Sequence, residues 1–81
     1  MPYIKQEARE HLIDYNLDVR TTGELNYMLT CVIREYMERR GLSYQVINDI
    51  VGALEGAKLE FYARVARPYE DTRRELNGDI Y

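Results

Sequence analysis

Apolar residues recur along this chain at steps of three and four, the spacing of a helix buried on one side. The longest such stretch lies between Ser43 and Pro68. At about 100° per residue, Val46, Ile47, Ile50, Val51, Leu54, Ala57, Phe61 and Val65 fall on one broad arc, which predicts a core face. Ser43 is a good cap, because its hydroxyl can accept from a free first-turn N–H. Pro68 is expected to close the helix, since the residue before a proline is pushed away from helical geometry. A second stripe, Leu25, Met28, Leu29, Val32 and Tyr36, widened by Ile33 and Met37, predicts a helix from Thr22 to Arg40. Thr21 and Glu24 read as its capping box and Gly41 as its stop. Ile4, Ala8, Leu12 and Tyr15 predict a shorter first helix over about 3–15, with Pro2 near its start and Asn16 and Leu17 at its stop.

The predicted fold is therefore all-α, within a single domain over 1–81. The three-residue link Gly41–Leu42–Ser43 implies an antiparallel hairpin of helices 22–40 and 44–66. The first helix is expected to pack across it. Residues 68–81 read as a short helix or an extended tail, with Asn77-Gly78 as a turn. Ile80 and Tyr81 are two large apolar groups in that tail and are expected to dock, in cis or on a neighbour.

The reverse side of the long helix is unusual. Gly52, Gly56, Leu59 and Ala63 lie opposite the core arc. An interior helical glycine costs about 1 kcal/mol relative to alanine, so two of them four apart suggest a groove that another backbone approaches closely. Gly52, Gly56, Leu59, Ala63, Ile80 and Tyr81 are the expected oligomer interface. Eighty-one residues make a marginal core, and association is a common remedy. An oligomeric helical bundle is the expectation.

Composition narrows the chemistry. The net charge of −3 argues against a general nucleic-acid-coating role. No apolar run approaches the ~20 residues of a membrane span. The N-terminus has no signal-peptide core, and the lone Cys31 suits a reducing, cytoplasmic setting as a packed, inert thiol. Only Lys5 and Lys58 among the eleven basic residues are lysine, and the eight tyrosines stand beside one phenylalanine and no tryptophan. Arginine and tyrosine favour bidentate anion contacts, stacking and interface hot spots. Arg64, Arg67, Arg73 and Arg74 cluster in sequence around Tyr62 and Tyr69. These six are the candidate ligand-binding residues, gripping phosphates and stacking on a base. The alternative is salt bridging to Glu70, Asp71 and Glu75. Arg39 and Arg40 suit the carbonyl end of their own helix.

The wording from Leu25 onward carries a resemblance: Leu25-Asn26-Tyr27, then GLSYQVINDIVGALEGAKLEFYARVARPYED (Gly41 to Asp71), and NGDIY (Asn77 to Tyr81). It resembles a family of small uncharacterised proteins found in bacteria and their phages. That resemblance implies a phage or prophage origin and brings no catalytic residues. In size and helix layout the chain is also similar to the viral sponge proteins that sequester cyclic-nucleotide immune signals.

No nucleophile elbow, Walker loop, C-x-x-C or H-E-x-x-H occurs. Glu7, His11 and Asp14 share one predicted face, but one helix offers too few ligands for a closed metal site, and a solvated charged face is expected. Glu35-x-x-Glu38, with Glu55 and Glu60, resembles the magnesium-binding acids of the all-helical nucleotide pyrophosphatases of the MazG type; the later E-x-x-D pair is missing. The expectation is a non-enzymatic binding protein with neither cofactor nor metal. It would sequester an anionic ligand such as a signalling nucleotide at subunit boundaries, or act as an adaptor on a host protein.

Overall fold

A computed structural model describes residues 3–10, 12 and 18–81. Every regular element among the described residues is helical: α1 (Gln6–Glu10), α2 (Thr22–Arg40), α3 (Tyr44–Phe61), a π-helical turn (Tyr62–Ala66) and α4 (Arg67–Asn77). The fold class is all-α. Pro2, His11 and the stretch 13–17 lie outside the described residues, and with them the expected start and stop of the first helix and two members of the Glu7-His11-Asp14 row.

The chain divides into two compact units, Tyr3–Val51 and Gly52–Tyr81. The first is held by side-chain caps. Thr21, extended at φ −127° and ψ 161°, accepts from the Glu24 N–H at 3.1 Å and opens α2. Glu24 reaches back as a capping box requires, but one residue further than expected, accepting from the Arg20 N–H at 2.7 Å. Asp18 holds the Arg20 side chain at 2.8 Å. Gly41 ends α2 with φ +81°, where a Cβ is strained, and donates its N–H to Met37 O at 2.8 Å. Ser43 Oγ accepts from the Val46 N–H at 3.1 Å and starts α3.

Just beyond this connection the Tyr36 hydroxyl donates to Asp49 Oδ2 at 3.0 Å, while Gln45 donates to Asp49 Oδ1 at 2.8 Å. Tyr36 and Asp49, thirteen residues apart across the link, can meet this way only if the chain turns back there, so a helical turnabout is built here. The Arg40 guanidinium lies 4.7 Å from the Tyr36 ring centre and covers it. The carboxylate of Asp49 holds the Tyr36 hydroxyl above the ordinary phenol range, because losing its proton would lose the hydrogen bond and set two negative charges together.

The second unit corrects the sequence expectation at Pro68. The helix does not close there. Arg67 is fully helical at φ −62° and ψ −48°, and α4 carries the chain on to Asn77. The π turn supplies the reason. In an unbroken α-helix the Pro68 ring would collide with the carbonyl of Arg64 and leave it without a donor. Here the Arg67 N–H donates to Tyr62 O, five residues back, so the turn ahead of the proline is widened. The true stop is Gly78, with φ +91° and its N–H on Arg74 O at 2.8 Å.

Burial brings the second correction. The arc expected to be a core is present in α3, but among the described residues only Val46, at 5% exposure, is buried. Ile50 is half-buried, while Ile47, Val51, Leu54, Ala57, Phe61 and Val65 are exposed. In α2, Met28, Ile33, Tyr36, Met37 and the free thiol of Cys31 are half-buried, and Leu25, Leu29 and Val32 are exposed.

Candidate binding surface

The six candidate ligand residues all fall in the Gly52–Tyr81 unit, on the π turn and α4. The helix does not gather them. Within α4, Arg67 and Arg74 are seven residues apart and share a side to within about 20°. Tyr69 and Arg73 are four apart and share the opposite side. Arg74 is occupied: its Nη2 lies 3.1 Å from Asp71 Oδ1 and its Nε 3.8 Å from Asp79 Oδ2. Arg64 lies 3.8 Å from Glu60. Arg67 and Arg73 carry no acidic partner among the described residues, and Tyr62 and Tyr69 are exposed.

A cleft of about 360 Å³ forms where the chain leaves α4. Two guanidiniums, Arg73 and Arg74, and three carboxylates, Glu70, Asp71 and Asp79, line it with Ile80 and Tyr81. An anion entering here would meet more negative than positive groups. Asp79 also accepts from the Tyr81 N–H at 2.9 Å, a local turn that leaves the Ile80 and Tyr81 side chains in solvent.

The expected glycine-face residues are likewise open. Gly52 is exposed, and a Cβ built on it would meet nothing within 4 Å. Leu59 and Ala63 are exposed and Gly56 is half-buried.

The acidic pair of α2 is tied along its own helix. Glu35 takes Arg39 Nε at 2.6 Å and Glu38 takes Arg34 at 3.3 Å, both at the i,i+4 spacing of exposed helix surfaces. Glu55 pairs with Lys58 at 3.6 Å. Among the described residues no three His, Cys, Asp or Glu side chains converge as a metal site would need, and no helix is long and apolar enough to cross a membrane.

One match covers nearly the whole molecule, residues 1–80. The chain belongs to the family described as domain of unknown function DUF6899. No curated protein and no solved structure matches it. The DUF6899 match spans both units, the capped turnabout and the proline-bearing helix alike. What sequence reasoning missed in this DUF6899 chain is the helix through Pro68. A signal was present: Val65, Tyr69, Thr72 and Leu76 continue the three-and-four spacing past the proline.

Proposed function

We propose that this chain is a non-enzymatic helical binding protein that works through protein contact, its apolar stripes being covered in an assembly. The observation that carries this reading is the exposure of large apolar side chains on α2, α3 and α4 alike, with Val46 alone buried among the described residues. In proteins most helical stability comes from packing an apolar face rather than from propensity. A partner supplies that packing. An adaptor that blocks or bridges a host protein fits the phage or prophage setting that the sequence resemblance implies. The glycine face and the apolar arc are both open to a partner.

A second reading keeps the arginines. Arg73 has no acidic partner among the described residues and lies one turn from Tyr69, so a subunit boundary could set this pair around a phosphate and a base. The likeness in size to cyclic-nucleotide sponges belongs to this reading.

Equilibrium dialysis against a panel of mono-, di- and cyclic nucleotides separates the two. Protein contact predicts no saturable uptake at any ionic strength. Saturable binding that weakens with added salt would transfer the conclusion to nucleotide sequestration.

A further inference from the structure

The unit Gly52–Tyr81 carries a regular apolar series: Leu54, Ala57, Phe61, Val65, Tyr69, Thr72 and Leu76. Its steps are three, four, four, four, three and four. Alternating threes and fours make a heptad seam, of the kind that packs against another helix. The run Ala57–Phe61–Val65–Tyr69 breaks the alternation with three fours in succession. On an unbroken α-helix each four-residue step advances about 40°, so that run would carry the stripe about 120° around the axis.

The π turn Tyr62–Ala66 falls inside this run. A π turn takes one more residue than an α turn, so the surplus residue is spent there and the drift is taken back. Val65, Tyr69, Thr72 and Leu76 return to the side that bears Leu54, Ala57 and Phe61. The same distortion that makes room for Pro68 therefore keeps one straight seam about 33 Å long. Thr72 is suited to its place in it, because its hydroxyl is already satisfied on Tyr69 O at 2.7 Å and leaves its methyl group to pack.

We propose that this seam is the interface with a second copy of the same helix, running parallel and in register. The inference rests on the protein-contact reading above and names the surface and the partner. Leu54, Phe61, Val65, Tyr69 and Leu76 are 41, 57, 54, 65 and 75% exposed. At ~200 Å² per large side chain they offer about 600 Å². With Ala57, Thr72 and the flanking stems this approaches the ~800 Å² per partner of a standard interface.

The flanks choose the orientation. Lys58 and Arg73 border the seam on one side; Glu60 and Glu75 border it on the other, with Arg64 between them bridged to Glu60. A parallel copy sets the basic flank of one helix beside the acidic flank of the other. An antiparallel copy sets like against like. In the parallel pair the two π turns lie level, so the surplus residue is matched layer for layer.

The test uses the full chain with Cys31→Ser and one introduced cysteine, at Val65→Cys in the seam or Ala63→Cys on the glycine face. Under mild oxidation Val65→Cys is expected to form a disulfide-linked dimer in high yield, with Ala63→Cys at least tenfold less. Sedimentation of Phe61→Glu and Tyr69→Glu, without introduced cysteines, should show the dimer dissociating at concentrations at least tenfold higher than for the parent. A dimer that links through Ala63→Cys and ignores both glutamates overturns the seam while leaving the protein-contact reading standing. A parent chain that sediments as a monomer at all concentrations overturns the second copy as occupant; the dialysis experiment then judges the broader reading separately.

Discussion

The units Tyr3–Val51 and Gly52–Tyr81 are both helical, yet different forces define them. In the first, the described helix ends are written in side-chain chemistry. Thr21 and Glu24 open α2, positive-φ Gly41 ends it, Ser43 opens α3, and Tyr36 on Asp49 ties the turnabout. In the second, α4 follows the π turn directly and needs no cap, no residue is buried, and a proline stands inside the helix. Its order depends on a regular apolar stripe, which is worth little until something lies against it. Caps settle where a helix starts and stops; only a covered face settles whether it is stable. The first unit thus has its helix bounds fixed by local side chains, whereas the proposed seam gives the second a covered face.

Substitutions that act on one unit alone break or sharpen this contrast. If the proposed seam is covered, Phe61→Glu has the largest effect, about 3 kcal/mol or more per subunit, since it sets a charge there. Hydrogen exchange should quicken through Gly52–Tyr81 while the Thr21 and Ser43 caps keep their protection. Equal loss in both units would merge them into one cooperative body. Val46→Ala comes next, at about 2 kcal/mol, because this is the buried side chain among the described residues; chemical denaturation should show it at any protein concentration. Thr21→Ala should cost about 1 kcal/mol by leaving the Glu24 N–H without its cap. A Thr21→Ser control should recover most of that.

Gly52→Ala tests the smooth reverse of the long helix. The new Cβ enters open space, so helix propensity alone predicts a gain of about 0.5–1 kcal/mol in thermal melts. A loss, deepening with protein concentration, would place a close-packed neighbour on the glycine face instead. The smallest effect concerns alkaline pH. Tyr36 is held above its unfolded value near 10, so the folded form keeps its proton the longer. Its contribution is fully present below the unfolded value and is lost as pH rises through the folded one. Tyr36→Phe should flatten that part of the stability profile and leave neutral pH nearly unmoved in slope. An unchanged alkaline slope would break the Tyr36–Asp49 link.

The two readings of function also divide over one side chain. A seam buries Tyr69 against its copy, whereas nucleotide stacking needs the ring free. Arg73, on the same side, would flank the first and grip phosphate in the second. The arginines expected to grip an anion are neighbours in sequence, and α4 sets them on different sides of one helix. Arg67 and Arg74 turn away from Tyr69 and Arg73, and Asp71 and Asp79 take up Arg74.

By itself the sequence determined the helical class, the bounds of α2, the start of α3 and a turn at Asn77-Gly78, because capping hydroxyls, positive-φ glycines and three-and-four spacing act over a few residues. The three-dimensional structure alone decided that the helix passes through Pro68 and that its core arc stays uncovered. Whether a proline ends a helix depends on which carbonyl the preceding turn leaves in its path, and the widened turn at Tyr62–Ala66 moves that carbonyl aside. Whether an apolar stripe becomes a core depends on what else reaches it, and no spacing along one strand of sequence carries that information.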